Sequence, residues 1–566
     1  MAPYLIVAAV LFAAQLISST FRLLRNVQTA RHSGLPYTFS PIHELEGLAY
    51  LTDPLLRRWY RDYLLHGRGW PRWARFMVKD WHYEDRGRAH AEFGPVFLVV
   101  SPGGLVCYVG DAETALQVVM RRKAFIKPPE KMKMLEPFGP NVVSVDGNLW
   151  RFHLGITLPP LAADGVHRTV WEETRRQVDM MAAARSRSGA ASTDASVKTN
   201  IYTLTVNTMS LAAFGKASDW VDSQDAVSPG HEMSVVGAIR GVVMHLPHIL
   251  LLPKWALRRS PWQAAYRAYV EFERYMDELL ASERVRLQTD ARESSRENLL
   301  TAVLRANMAN SSTSQEPTRE KGGSIYNPIG RTSLTDEEIK GNVFIFLLAG
   351  YDTTANTMWF CCIVLSLYSD IQERIFEEVD RICEEAERAG RSELSFTDDF
   401  PKFRYLVAFM YEVMRVFPIV LPVARVTVGE QHLRVGTDDW DSKAQSTASR
   451  HVLPSGTGVV VNNTAIHYSE SNWPSPEIIE PRRWLVSDPH KVDPSRPLTA
   501  EQEAETRSGT VPIPGCRKGT FMTFNEGPRA CLGRKFARVE FVAFFSRLLQ
   551  NGSCLYATSW LCNWVL

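Results

Sequence analysis

The pattern of hydrophobic and polar positions predicts a mostly helical chain that also carries a few short strands. Residues 96–100 and 105–109 are apolar runs rich in β-branched side chains, and the Ser-Pro-Gly-Gly between them predicts a hairpin. A helix is predicted from an N-cap at Asp111 to Met120. Predominantly helical periodicity then covers residues 149–304.

Two irregular stretches interrupt this pattern. Residues 127–147 are rich in Pro, Gly, Lys and Met without periodicity, which predicts a long loop that is either functional or disordered. Residues 308–331 contain the low-complexity run NSSTSQEPTREKGGS and predict a solvated, mobile linker. Strongly helical sequence returns over residues 334–380, where Thr335 and Glu338 have the spacing of a capping box.

Short strands dominate the sequence pattern after Pro418. They are predicted over residues 425–428, 432–435 and 458–461. The chain shows neither an internal repeat nor the strand–helix alternation and glycine-rich phosphate loop of a dinucleotide-binding domain. The predicted fold class is therefore mainly α with a smaller β-rich part.

The first residues of the chain predict a membrane anchor over residues 1–24. No charge occurs before Arg22, and a helix of that length spans roughly 30 Å, about one hydrocarbon core. Arg22, Arg25 and Arg31 follow the apolar run, which places the rest of the chain on the cytosolic side. A cleaved signal peptide and a buried helix are the alternatives, although no basic region precedes the run.

Gly34, Pro36 and Pro41 predict a stiff hinge over residues 25–44, followed by a single body over residues 45–549. Composition supports a globular body: the 566 residues are 45% hydrophobic and 22% charged, with a formal net charge of +2. These values exclude a disordered, collagen-like or coiled-coil chain and give no support for a nucleic-acid-binding surface. The eight cysteines are too sparse for a disulfide scaffold and include no C-x-x-C pair for structural zinc.

The sharpest chemical feature is the segment FNEGPRACLG, residues 524–533. Gly527 and Gly533 permit turns and close approaches, and Arg529 is a permanent cation two residues from the Cys531 thiol. Helical periodicity begins just after Cys531, so the helix N-terminus favours thiolate there. A thiolate shielded by an aromatic ring such as Phe524 suits a soft metal ligand, above all haem iron.

This segment resembles the haem-binding signature of the cytochrome P450 family, F-x-x-G-x-R-x-C-x-G, at every fixed position. The resemblance implies a cytochrome P450-type fold that binds haem b, with the Cys531 thiolate as axial ligand of the iron. It also implies a structural network, because Glu412 and Arg415 match the family's E-x-x-R on one helix face. Arg483, in the P-R-R-W segment, matches the arginine that completes this network.

Other segments match the family's oxygen-activating and haem-binding positions. Ala349-Gly350-Tyr351-Asp352-Thr353-Thr354 resembles the motif of the long central helix, in which small residues leave room for a ligand. Asp352 and Thr353 are the predicted catalytic pair, which relays protons and holds a water. Arg425 matches the family's propionate-binding arginine, with Arg529 as the second.

Trp150 resembles the tryptophan of the family's W-x-x-x-R motif, which also contributes to cofactor binding. Here the sequence departs from the family, because Leu154 stands where the motif has Arg. Arg151 and His153 are the two neighbouring candidates for a replacement. A second departure is the tail: only 566 − 549 = 17 residues follow Leu549, so residues 550–566 are expected to be an atypical, truncated terminus.

The resemblance, which covers residues 35–549 and is closest to microsomal-type fungal members, implies a monooxygenase anchored in the endoplasmic reticulum membrane. An NADPH–cytochrome P450 reductase, with cytochrome b5 as a further candidate, is the implied electron donor. The substrate is expected to be an apolar small molecule, a secondary-metabolite intermediate. Its pocket is predicted to be lined by residues 127–147, Phe344, Leu348 and residues 417–423. A haem-thiolate isomerase or dehydratase and a non-catalytic relic remain as alternatives.

Overall fold

The structure is a computed structural model that describes residues 2–188, 194–220, 227–289, 298–313, 331–436, 449–509, 511–513 and 515–550. It divides into two compact units. Unit 1 combines Met1–Pro128 with Met414–Cys531, and unit 2 combines Pro129–Val413 with Leu532–Leu566. The predicted boundary of one body over residues 45–549 stays a prediction.

Helices make up most of the described part of the chain, with short strands between them. The helices are α1 (Ala2–Ser33), α2 (Ala49–Trp59), α3 (Arg61–Leu65), α4 (Arg72–Arg75), α5 (His82–Asp85), α6 (Arg88–Phe93), α7 (Ala112–Met120), α8 (Pro129–Lys133), α9 (Gly147–Ala162), α10 (Asp164–Ser188), α11 (Asp194–Phe214), α12 (Val235–Met244), α13 (Leu246–Leu251), α14 (Lys254–Arg259), α15 (Gln263–Thr289), α16 (Leu299–Thr313), α17 (Asp336–Leu367), α18 (Ser369–Arg388), α19 (Tyr405–Val416), α20 (Asn463–His467), α21 (Ala500–Ser508) and α22 (Arg534–Gln550). The strands are β1 (Tyr37–Phe39), β2 (Val96–Ser101), β3 (Gly104–Val109), β4 (Phe125–Ile126), β5 (Pro422–Thr427), β6 (Gln431–Val435), β7 (Ser449–Leu453) and β8 (Gly458–Asn462).

Unit 1 is built on a six-stranded mixed sheet of order β1-β2-β3-β8-β5-β4, beside a two-stranded β6-β7 sheet. The predicted hairpin is confirmed, because β2 and β3 pair antiparallel with Val99 opposite Val106. The predicted helix after it is also confirmed: the Asp111 carboxylate accepts the Thr114 N–H at 2.7 Å and caps α7. Both faces of β2 and β3 are buried, which explains their continuous apolar sequence.

Residues 25–44, which the sequence predicts as a stiff hinge, hold the end of α1 and the strand β1, and the hinge stays a prediction. Helix α1 continues to Ser33 because Ala30 is buried in the core of unit 1 and Asn26 Nδ2 donates to Ser101 O at 2.8 Å. The chain then turns at Gly34, with φ +72°, and enters β1, which pairs parallel with β2. Among the described residues, no helix combines the length and the hydropathy needed to cross a membrane.

Unit 2 is helical and is organised around α17, a 32-residue helix. Its predicted capping box is confirmed: the Glu338 N–H donates to Thr335 Oγ1, and the Glu338 side chain accepts the Thr335 N–H. Loop 127–147 contains the short helix α8, which the sequence pattern did not indicate. Helix α16 extends to Thr313 into the predicted linker, of which residues 314–330 lie outside the described residues, as do residues 551–566 of the predicted tail.

The mainly α fold class with a smaller β-rich part is confirmed. The strands predicted after Pro418 are found as β5, β6 and β8, within a few residues of their predicted ends. The predicted pattern missed β1 and β4, because strands of three and two residues carry too few positions to show a period, and it missed β7, whose sequence Ser-Arg-His-Val-Leu is polar over its first three residues.

Candidate active site

The Cys531 thiol stands at the end of a tightly bonded loop in unit 1. The Cys531 N–H donates to Phe524 O at 2.8 Å, and the Ala530 N–H donates to Gly527 O at 3.0 Å. Asn525 Nδ2 closes the loop by donating to Arg529 O at 3.3 Å. The Phe524 side chain is buried while Cys531 is exposed, so the loop is fixed and its thiol is presented outward.

Gly527 is required where it stands in this loop. Its φ of +72° is left-handed, and a Cβ there would lie 2.8 Å from Met120 Sδ and 3.1 Å from Val119 O. Gly533, the other glycine of the motif, has a different task in unit 2. Its carbonyl accepts the Ala537 N–H at 2.9 Å and so starts α22.

Cys531 differs from the other cysteines of the described part of the chain. Cys107, Cys361 and Cys362 are buried, and burial raises the pKa of each thiol, that of Cys362 to about 12. Those three thiols are therefore held neutral and unreactive. Of the six cysteines that are described, Cys531 is the exposed one.

Two of the predicted cofactor-binding arginines lie in unit 1. Arg425 is on β5 opposite Val459 of β8, and its side chain is buried although it carries a permanent charge. Its Nη1 donates to Ala424 O at 2.8 Å. Arg529 is half-buried within the Cys531 loop. A buried guanidinium needs anionic or carbonyl partners, which is the environment that a propionate-binding residue requires.

The three residues of the predicted structural network are each buried, and its two arginines donate to one segment, while the network itself stays a prediction. Glu412 is fully buried on α19. Arg415 Nη1 donates to Pro476 O at 2.8 Å, and Arg483 Nη2 donates to the adjacent Ser475 O at 2.9 Å. The two guanidinium groups therefore hold consecutive carbonyls in unit 1.

The sequence motifs did not indicate His467, which joins this network to the cysteine loop. The Met522 N–H donates to His467 Nε2 at 3.0 Å, so the ring carries its proton on Nδ1 and donates it to Arg415 O at 3.1 Å. Its carbonyl accepts from Arg415 Nη1 at 3.0 Å. Since Met522 lies two residues before Phe524, His467 fixes the start of the loop that presents Cys531.

Trp473 and His490 support the same segment from further along the chain. Trp473 Nε1 donates to Thr520 O at 3.1 Å, and His490 Nε2 accepts the Arg517 N–H at 3.0 Å. The rings of Trp473 and His490 pack with centroids 4.8 Å apart. No spacing signal links these residues in the sequence, because their partners lie 47 and 27 positions further along the chain.

The predicted proton-relay residues lie on one accessible stripe of α17 in unit 2. Ala349 is exposed and Asp352, Thr353 and Asn356 are half-buried, whereas most of the helix is buried. Thr353 Oγ1 donates to Ala349 O at 2.7 Å, the bond back into the helix that the sequence predicts. Its proton is thereby used, so the Thr353 oxygen is free to accept a hydrogen bond from water.

Asp352 is held by two donors on a single oxygen. The Tyr202 hydroxyl donates to Asp352 Oδ1 at 3.0 Å, and Asn356 Nδ2 donates to the same oxygen at 3.2 Å. Burial, and then the Asp352 charge, raise the pKa of Tyr202 well above its ordinary value. Tyr202 therefore remains a hydrogen-bond donor at any working pH.

Two predictions about space around α17 are wrong in detail. A Cβ on Gly350 would lie 2.9 Å from Met209 Sδ, so the missing side chain makes room for the packing of α11 rather than for a ligand. Phe344 is only 1% exposed and packs against Phe138 with ring centroids 4.8 Å apart, which makes it a core residue. Leu348 is half-buried and remains compatible with a pocket wall.

Trp150 is buried on α9, and its neighbour His153 on the same helix bonds to residues of α17. Asn342 Nδ2 donates to His153 Nδ1 at 3.0 Å, and His153 Nε2 lies 3.4 Å from Glu338 Oε1. Burial alone would raise the pKa of Glu338, but hydrogen bonds from His153 and Arg331 outweigh it and hold this pKa well below its ordinary value. With both ring nitrogens engaged inside unit 2, His153 is a poor substitute for the arginine missing at position 154.

Comparison with known proteins gives consistent matches over nearly the whole chain. A family model described as Cytochrome P450 matches residues 82–556. The chain is 36% identical over 536 residues to Cytochrome P450 monooxygenase ORF6 of Penicillium roqueforti, covering 93% of this chain and 87% of that protein. It is 35% identical over 541 residues to Cytochrome P450 monooxygenase prx9 of Penicillium rubens, covering 94% and 88%. A solved zebrafish cytochrome P450 with abiraterone matches the fold at a TM-score of 0.55 and 19% identity, covering 83% of this chain and 91% of that one.

Proposed function

Since the chain belongs to the cytochrome P450 family, we propose that Cys531 is the thiolate ligand of its haem iron and that Asp352 and Thr353 deliver protons for the reaction. The family establishes the general class: the protein is an oxygen-incorporating oxidoreductase with haem and a cysteine thiolate, an organic substrate and a redox partner. When bound, a haem thiolate supplies the activation of O₂, in which the thiolate favours cleavage of the O–O bond.

The single observation that carries the assignment of Cys531 is its exposed thiol on a loop fixed by the bond from its own N–H to Phe524 O. The residues present fit a haem: Cys531 is an exposed soft ligand, and Arg425 is a buried cation on strand β5 of the same unit. We assign Arg425 and Arg529 to the haem carboxylates, with Trp150 as a further contact. Phe524 and Gly527 shape the loop, and Gly533 starts the helix that follows it.

Thr353 and Asp352 would move protons as a pair on the accessible stripe of α17. The Thr353 oxygen can accept a hydrogen bond from a water, because its own hydroxyl proton is donated to Ala349 O. Asp352 can take a proton from solvent at Oδ2 and pass it to that water, which would release one of its own protons to the reaction while Asp352 returns to its carboxylate form. This arrangement supports a monooxygenase over a haem-thiolate isomerase or dehydratase, which needs no proton delivery coupled to electrons.

We further propose an NADPH-dependent cytochrome P450 reductase as electron donor, with cytochrome b5 as a second one. Support comes from the sequence, in which no strand–helix alternation or glycine-rich phosphate loop for a flavin or nicotinamide is visible. An organic substrate of apolar, secondary-metabolite type fits Leu348 and the small residue Ala349 on the accessible stripe. The resemblance to fungal relatives is consistent with such a substrate.

The endoplasmic reticulum membrane is the proposed location. Support comes from α1, where Tyr4 is 81% exposed, Leu11 65% and Phe21 69%. Such a series of exposed apolar side chains, followed by Arg22 and Arg25, favours contact with a lipid surface.

The absorption spectrum of the reduced, CO-bound protein tests the haem-thiolate assignment. We expect a strongly red-shifted Soret band for the wild-type protein and for Cys516→Ser, a matched control at a half-buried cysteine. Cys531→Ser should lose that band. A wild-type protein that folds but shows no such band would contradict the proposal and favour a non-catalytic relic. Consumption of NADPH that depends on added reductase separates a monooxygenase from an isomerase.

A further inference from the structure

The Tyr202 hydroxyl reaches Asp352 from another helix, and no sequence motif indicates it. Tyr202 lies on α11, and its oxygen is 3.0 Å from Asp352 Oδ1 on α17. Asn356 Nδ2 donates to the same oxygen at 3.2 Å and to Asp352 O at 2.9 Å. Among the described residues, none hydrogen-bonds the second carboxylate oxygen, Oδ2.

The position of the Tyr202 hydroxyl is determined by packing on both sides of its ring. The rings of Tyr202 and Tyr351 meet edge to face with centroids 5.6 Å apart. Lys198 Nζ lies 5.8 Å from the centroid of Tyr202 and 4.4 Å from that of Trp359, so one cation covers both rings. Close packing of α11 on α17, where Met209 fills the space beside Gly350, keeps the helices in register.

We propose that Tyr202 is a positioning residue for proton delivery: its hydroxyl holds Asp352 Oδ1, so that Oδ2 is the oxygen that accepts and releases the proton. The assignment rests on the proposed role of Asp352. For each proton delivered, Oδ2 takes one proton from bulk solvent and gives it to the water held by Thr353, which at the same time releases one of its own protons to the reaction. Tyr202 keeps its own proton throughout, and the carboxylate ends in its starting state.

A packing role alone does not account for the hydroxyl. A phenylalanine would make the same contacts with Tyr351 and Lys198, whereas the phenol adds one directed bond to a carboxylate. A carboxylate with donors on only one oxygen has that oxygen occupied and the other open to water. The arrangement therefore distinguishes two oxygens that are chemically equal in free aspartate.

The test compares Tyr202→Phe with Tyr275→Phe in the full-length holoenzyme supplied with reductase and NADPH and no added substrate. Tyr275 is the matched control, because its hydroxyl also donates one bond, to Met233 O at 2.7 Å, away from Asp352. We expect Tyr202→Phe to raise the ratio of hydrogen peroxide to water formed by about three- to tenfold, the range that one hydrogen bond supports. Its reduced CO spectrum should match the wild type, and Tyr275→Phe should leave the ratio unchanged.

A double-mutant cycle with Asp352→Asn gives a readout that does not depend on turnover. The midpoints of urea unfolding should be non-additive for Tyr202→Phe and Asp352→Asn, because the first change removes the donor of this bond and the second removes the charge that strengthens it. The peroxide ratio of the double variant should equal that of Asp352→Asn alone. An unchanged ratio in Tyr202→Phe, or additive effects in the cycle, would overturn the inference. A missing CO band in the wild type would instead reject the proposed function, while the unfolding cycle would still report on the bond.

Discussion

We expect His467→Phe to destabilise unit 1 and to weaken its hold on haem. The substitution keeps an aromatic ring that can stack on Phe521, whose centroid lies 5.3 Å away. It removes the proton donor to Arg415 O and the acceptor of the Met522 N–H. Arg415 O lies in the last turn of α19, so one of the two lost bonds is at the C-terminus of a helix. The other lost bond, to the Met522 N–H, is just before the cysteine loop.

The size of the effect follows from the two backbone hydrogen bonds that the substitution removes. His467 is fully buried, so water cannot replace either bond. A buried donor or acceptor that loses its partner costs about 1–3 kcal/mol, which gives about 2–6 kcal/mol for the pair. Total stabilities of about 5–15 kcal/mol are usual, so the variant should lose a substantial share of its stability.

Two measurements check this expectation: the midpoint of urea unfolding and the haem content per chain after purification. Both should fall for His467→Phe, and His467→Gln should recover part of each, since an amide can donate and accept. His432→Phe, the same change at an exposed histidine of β6, is the matched control and should behave like the wild type. An unaltered midpoint together with full haem content in His467→Phe would refute the argument that this residue fixes the loop.

Three further outcomes are expected. Thr353→Ala should keep its haem but release more hydrogen peroxide per NADPH, because the acceptor for water is lost; tight coupling in that variant would argue against the relay. Gly527→Ala should lower stability by more than the about 1–2 kcal/mol that a left-handed φ costs, since its Cβ also meets Met120 Sδ. Gly456→Ala is the control for the cost of φ alone, because Gly456 has φ +78° and an added Cβ would meet nothing within 4 Å. Equal unfolding midpoints for Gly527→Ala and Gly456→Ala would contradict the clash with Met120. Because the pKa of Glu338 is depressed in the folded state, its contribution is present above its ordinary value of 4.5 and is lost as pH falls through the folded pKa. Glu338→Gln should therefore be less stable at neutral pH and lose less stability on acidification in thermal unfolding, and parallel pH profiles would count against this.

Local patterns predicted those parts of the molecule whose causes are local. The β2–β3 hairpin depends on two apolar runs and the turn between them, and the caps of α7 and α17 depend on residues three positions apart. The bonds inside the cysteine loop are equally local, since the Cys531 N–H donates to Phe524 O and the Ala530 N–H donates to Gly527 O. Such features are readable because all of their partners are neighbours in the chain.

Features fixed by distant partners could not be predicted in the same way. The role of His467 depends on its bond with Met522, which is 55 positions away. The role of Asp352 depends on its bond with Tyr202, which is 150 positions away. The same reason explains the error at Gly350 and the elements, not indicated by the sequence, that lie over residues 25–44. At Gly350, Met209 occupies the space that a side chain would fill. Over residues 25–44, burial of Ala30 in the core of unit 1 and pairing of β1 with β2 determine the structure.

Contacts between residues far apart in the sequence also bear on Leu154, which stands where the family motif has Arg. His153, its neighbour on α9, is tied to α17 through Asn342 and lies 3.4 Å from Glu338 Oε1. The Val142 N–H donates to Asn342 Oδ1 at 2.8 Å, so the same amide also fixes the loop that leads into α9. A polar residue of α9 has thus become a structural attachment to the central helix. Of the two replacements that the sequence offers for the missing cation, Arg151 is therefore the one to test.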